Sequence, residues 1–125
     1  MTVLAIALGG ALGSICRYFI AVRLYGWLGL SLPYGTLTVN IGGSLLLGLI
    51  VALVEERGAL GPEARSFVTV GFLGGMTTFS AFIFESWTYA RDGEVLRAGL
   101  YATLSLAGAF LAFTLGHALV RLLER

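Results

Sequence analysis

The sequence predicts an all-α integral membrane protein of four transmembrane helices in one domain, residues 1–125, and two observations carry that expectation. Composition is the first: 58% of the residues are hydrophobic, 12% are charged and the mean hydropathy is +0.91, which is too apolar for a soluble chain. Distribution is the second. The stretches 3–25, 34–54, 66–90 and 98–120 contain only three charged residues, Arg17, Arg23 and Glu85. At about 1.5 Å per residue each stretch reaches roughly 30 to 38 Å, enough to cross a bilayer's hydrocarbon core with some tilt. A net charge of +1 supplies no polycationic surface, so a nucleic-acid-binding module is excluded. A single cysteine, Cys16, and a single histidine, His117, cannot build a disulfide framework or a zinc site within one chain.

The first span has no basic residue before Arg17 and is longer than a signal-peptide core, so it reads as a mature helix. The connectors are expected at 26–33, 55–65 and 91–97, with Pro33 and Pro62 outside the spans where they break no helical hydrogen bond. Small residues recur at four-residue spacing on every span: Gly9 and Gly13, Ser44 and Gly48, Gly71 and Gly75, and Gly108, Ala112 and Gly116. Such stripes admit close backbone packing and argue for assembly more than for any activity. Arg17, about 12 Å inside the membrane, either snorkels outward or raises the anion concentration of a wet vestibule. Glu85, about 7 Å deep, suits an interfacial salt bridge or a helix-end hydrogen bond, with proton coupling as the alternative. His117 and Cys16 have no evident partner at matching depth, and a structural reading is favoured for both.

Orientation is nearly undetermined by charge. Arg57, Arg65, Arg121 and Arg125 fall on the N-terminal side of the membrane, and Arg23, Arg91 and Arg97 on the other. Because arginine asymmetry sets insertion direction, a chain lacking it inserts both ways, which opens the route to an antiparallel homodimer; a fixed topology set by cellular factors stands beside this reading. Tyr25, Trp27, Tyr34, Trp87 and Tyr89 all fall near one interface, so an inverted pair has two aromatic belts where one copy has one.

The centre of the third span runs Gly71-Phe72-Leu73-Gly74-Gly75-Met76-Thr77-Thr78-Phe79-Ser80-Ala81-Phe82. Glycine disfavours helix and threonine hydroxyls compete for backbone groups, so a helix can break here and turn carbonyls inward, as at ion sites in membranes; a continuous helix admitting a close neighbour is the other reading. Phe79 and Phe82 follow at i and i+3. Their rings have positive edges that, beside amide and hydroxyl donors, can hold a small dehydrated anion. Asn40 is the best such donor, or else glue between two helices. Counted from one surface, Asn40, Ser105 and Phe82 all lie roughly 9 to 12 Å deep, and Tyr101 and Ser105 put two hydroxyls on one stripe of the fourth span.

Three runs together resemble the Fluc (CrcB) fluoride channels: residues 9–18, Gly-Gly-Ala-Leu-Gly-Ser-Ile-Cys-Arg-Tyr; residues 40–44, Asn-Ile-Gly-Gly-Ser; and the glycine and threonine run from Gly71 to Phe82. The resemblance covers essentially the whole chain. It implies a dual-topology, antiparallel homodimer in the inner membrane with a central break in the third helix, two pores passively exporting fluoride, and no enzymatic activity. It further implies a structural sodium ion at the dimer interface on backbone carbonyls of Gly74 and Thr77, a pore of Asn40, Phe79, Phe82, Ser80, Tyr101 and Ser105, and a vestibule arginine at Arg17. Ala81, where the family commonly has threonine, and Ala109, where the polar track of the fourth span stops, depart from the pattern. The main rival is a small proton-coupled exporter using Glu85; a non-transporting assembly subunit is the second.

Overall fold

The computed structural model describes residues 1–29 and 31–123, so Arg125, counted above for orientation, lies outside the described residues. Helix α1 covers Thr2–Leu28 and α2 covers Tyr34–Arg57. The third span, Pro62–Arg91, is composite: α3 (Pro62–Ser66), a π-helical stretch Phe67–Leu73, the short α4 (Gly74–Met76) and α5 (Phe79–Arg91). Helix α6 covers Val95–Leu123. Four helices are therefore long and apolar enough to cross a membrane, of 27, 24, 30 and 29 residues.

Each helix overruns its apolar stretch, and the connectors shrink to 29–33, 58–61 and 92–94. This corrects the expected loops. A helix ends where the backbone turns, not where the apolar run stops, and charged residues sit comfortably in exposed terminal turns. Gly58, at φ 58°, ends α2 with its N–H on the Val54 carbonyl, leaving Glu55, Glu56 and Arg57 helical. Pro62 opens the third span in its first turn, where no intrahelical N–H is needed.

The helices associate as two close pairs, α1 with the Phe67–Met76 region and α2 with α6. Glycine makes both possible. A Cβ on Gly13 would overlap the Phe72 carbonyl oxygen, and one on Gly48 the Phe113 carbonyl oxygen, so a methyl group at either position would have to displace backbone. Val39, Leu73 and Met76 form the buried core, with Cys16 packed against its edge. Elsewhere large apolar side chains such as Leu12, Phe110 and Leu111 face outward, as they do when lipid is the solvent.

His117 does have a partner. Its Nε2 lies 3.0 Å from Glu55 Oε2, and one turn on Arg121 Nε donates to Glu56 Oε1 at 2.9 Å. Ending the second span at residue 54 had hidden these pairs, because Glu55 and Glu56 belong to the last helical turn of α2 and face α6.

Gly48→Val is expected to destabilise the fold by about 1–3 kcal/mol through overpacking, read as a lower thermal midpoint in detergent. Gly42→Ala, where a Cβ meets nothing within 4 Å, should be neutral or stabilising.

Candidate functional site

The site grows from a local backbone irregularity. Thr77 (φ −79°, ψ 156°) and Thr78 (φ −151°, ψ 112°) are extended between α4 and α5. Extended residues between helices leave amide and carbonyl groups without helical partners, and in hydrocarbon each such group must find another. Asn40 serves both groups of Thr78: its Nδ2 donates to the Thr78 carbonyl at 3.0 Å and its Oδ1 accepts from the Thr78 N–H at 2.7 Å. Thr78 in turn starts α5, its Oγ1 accepting from the Ala81 N–H at 3.2 Å. Asn40 thus joins two helices and still holds a second N–H for which no protein acceptor occurs among the described residues.

Beside this junction lies a cleft of about 290 Å³, with Asn40, Ser44, Gly74, Thr77, Thr78, Phe79, Phe82, Ser105, Leu106 and Ala109 in its lining. No lining side chain is ionisable. Phe82 is buried at 5% exposure and Phe79 is 68% exposed, their ring centroids 5.4 Å apart. Ser105 is 4% exposed, and its Oγ, near enough to Tyr101 to interact with its hydroxyl, makes no well-aligned hydrogen bond among the described residues. A buried hydroxyl without a well-aligned partner is costly and leaves its proton free to turn toward an occupant of the cleft.

The other expected residues lie around the cleft rather than in its lining. Tyr101, 2% exposed, packs on Phe82 at 5.6 Å and donates its hydroxyl to Glu85 Oε2 at 2.6 Å. Thr36 donates to the other oxygen of Glu85 at 2.7 Å. Glu85 makes no ion pair among the described residues; two hydroxyls, not an interfacial arginine, hold it. Ser80 is exposed, with its Oγ 3.3 Å from Thr78 Oγ1. Arg17 turns inward: its Nη1 is 3.5 Å from the Thr77 carbonyl, so outward snorkelling is not the arrangement. Thr36 and Thr78 were absent from the expected set. The depth count would have found Thr36, which lies at the same end of its span as Glu85 and Tyr101. The backbone role of Thr78 had no sequence signal beyond its place in the Thr-Thr pair.

Residues 4–117 match the family described as CrcB-like protein, Camphor Resistance (CrcB). The chain is 50% identical over 121 residues to a protein of Thermus thermophilus named fluoride-specific ion channel FluC, covering 94% of this chain and 96% of that protein. It is 42% identical over 118 residues to one of the same name from a Geobacter species, covering 94% and 95%. A third of that name, from Methylococcus capsulatus, is 42% identical over 121 residues; the match covers 97% of this chain but only 53% of that longer relative.

Asn40→Ala strands the Thr78 amide and carbonyl, at about 1–3 kcal/mol for a buried unsatisfied group. The expected result is amide exchange at Thr78 faster by at least about tenfold with the four helices retained. Unchanged exchange would show that the carboxamide does not hold the extended segment.

Proposed function

The chain belongs to the CrcB family, and from that premise we propose that it is a fluoride channel, a multi-pass protein of the cell's inner membrane that passively lets fluoride leave the cytoplasm. The observation that carries the reading is the neutral cleft with a buried Ser105 hydroxyl that makes no well-aligned hydrogen bond among the described residues and a spare Asn40 N–H. Fluoride is small and strongly hydrated, so a pore must replace its water with fixed donors. Ser105 and Asn40 supply O–H and N–H groups, and Phe79 and Phe82 supply ring edges. Larger halides fit such a set poorly. Ser80 and Tyr101 continue the pathway on either side, and Arg17 raises the anion concentration at its mouth.

The functional unit in this reading is an antiparallel homodimer, with two pores. The exposed faces of Phe79 and Leu106 at the cleft give a second copy something to cover, and the weak arginine bias favours insertion both ways. Sodium is the proposed interfacial cation. Among the described residues no three His, Cys, Asp or Glu side chains gather, so the ligands are backbone carbonyls. Gly74 fits: the Thr78 N–H that would cap its carbonyl in a continuous helix goes to Asn40 instead. Thr77 fits once Arg17, 3.5 Å from its carbonyl, yields that oxygen. A bound cation would supply positive charge that joins the C-terminal ends of two half-helices. The exporter reading needs an ionised carboxylate in the cleft, whereas the Glu85 carboxylate is held by Thr36 and Tyr101.

Purified protein in liposomes should release fluoride rapidly and retain chloride, followed with ion-selective electrodes; retention of both ions alike would overturn the proposal. Ser105→Ala, which removes one donor, is expected to cut fluoride flux about tenfold, and Phe82→Ile should lower it with the dimer intact. Exhaustive replacement of sodium by a large organic cation should weaken the dimer on size-exclusion chromatography, and added sodium should restore it.

A further inference from the structure

A second cavity lies away from the cleft. It is a groove of about 490 Å³ between α1 and α2, lined by Phe19, Ile20, Arg23, Leu24 and Thr38. Thr38 is two positions from Asn40, about 200° around α2, so the groove opens on the side of that helix opposite the cleft. Apart from Arg23 and Thr38 the lining is apolar. Arg23 is exposed and has no hydrogen-bond or ion-pair partner among the described residues. Arg91, Arg97 and Arg121 each hold a carboxylate and Arg17 faces a carbonyl, whereas Arg65, at the other end of the fold, is like Arg23 exposed with no such partner among the described residues. The end of α1 does not account for Arg23 either, because it lies outside the last helical turn, where the dipole effect is confined.

Depth identifies the missing partner. Arg23 is five residues before Leu28 and Thr38 four residues after Tyr34, so both lie roughly 6 to 8 Å inside their helix ends. A helix of 27 residues exceeds a hydrocarbon core of about 30 Å by roughly 5 Å at each end. The guanidinium therefore reaches the boundary between acyl chains and headgroups. A planar guanidinium pairs with phosphate through parallel N–H bonds, and Phe19 and Ile20, deeper along α1 than Arg23, continue the groove toward the bilayer interior, with Leu24 beside Arg23.

We propose that the groove between α1 and α2 binds an anionic phospholipid, its phosphodiester on Arg23 and the Thr38 hydroxyl and one acyl chain along Phe19, Ile20 and Leu24. The site is independent of the conduction pathway, and its test reads lipid, not flux. The protein is reconstituted in equimolar phosphatidylglycerol and phosphatidylcholine, extracted gently, and its bound lipid counted by native mass spectrometry. Phosphatidylglycerol should be enriched about fivefold. Arg23→Gln should abolish the enrichment, and so should Thr38→Phe, which fills the groove with Arg23 intact. Arg65→Gln, the same charge loss at the other end of the fold, should not. Enrichment that survives Arg23→Gln, or falls equally with Arg65→Gln, overturns the proposal. So does a Phe19→Cys crosslink between protomers in membranes, which would show that a second copy, not a lipid, covers the groove.

Discussion

The pair of hydrogen bonds between the Asn40 carboxamide and the backbone of Thr78 is the constraint on which the rest of the structure depends. Within a bilayer no water is present to satisfy a non-helical peptide, so an extended segment survives only where protein groups replace the lost helical bonds. A carboxamide is the side chain suited to this, since it mirrors the peptide's donor and acceptor. By taking the Thr78 N–H, Asn40 also releases the Gly74 carbonyl from the bond it would make in a continuous helix. Thr78 then restarts the helix through its own hydroxyl, which brings Phe79 and Phe82 onto one face of α5, beside Asn40 itself.

The cleft exists because the four spans are packed as two tight pairs rather than as an even bundle. Gly13 and Gly48 sit where the neighbouring backbone leaves no room for a side chain, and the dispersion contacts so gained replace the hydrophobic drive that lipid does not supply. Between the pairs, α2, α6 and the third span meet less closely. Polar groups from all three line that seam: Asn40 and Ser44 from α2, Ser105 from α6, Thr77 and Thr78 from the extended segment. Close packing in one place thus leaves a defined gap in another.

Much of this was legible in the residues and some of it was not, for physical reasons. The four spans follow from hydropathy, because transfer into hydrocarbon discriminates strongly against charge. Helix ends do not follow from it, which is why Glu55 was placed in a loop and its contact with His117 missed. Simple depth counting puts Asn40, Phe82 and Ser105 on one level, and the cleft does hold all three. The stripe that Tyr101 shares with Ser105 did not show which way its hydroxyl is committed. It fixes where the Cα lies, but the longer ring carries the hydroxyl to Glu85. Arg17 was legible as a deep charge but not in its direction, since the carbonyl it faces is exposed only by the extended conformation of the third span. The pairing of Asn40 with Thr78 was out of reach for the same reason: it depends on a backbone direction set by tertiary packing.

Charge placement decides which ion such a cleft admits. Two unit charges 4 Å apart interact by about 4 kcal/mol at an effective dielectric constant of 20, so a carboxylate open to the lining would exclude an anion. Glu85 lies only three residues beyond Phe82, yet both its oxygens accept hydroxyls, from Thr36 and Tyr101, and it stands outside the cleft lining. Tyr101 packs its ring on Phe82 and spends its proton on Glu85. With its proton on Glu85, Tyr101 offers the proposed pathway a ring and a hydroxyl oxygen rather than a free O–H, and the donors in the cleft lining are Ser105 and Asn40. A carrier of organic cations would need the reverse, an ionised acid facing the substrate and aromatic faces around it. Neutral donors inward and a carboxylate held aside by hydroxyls form an arrangement that suits a small anion better than an organic cation.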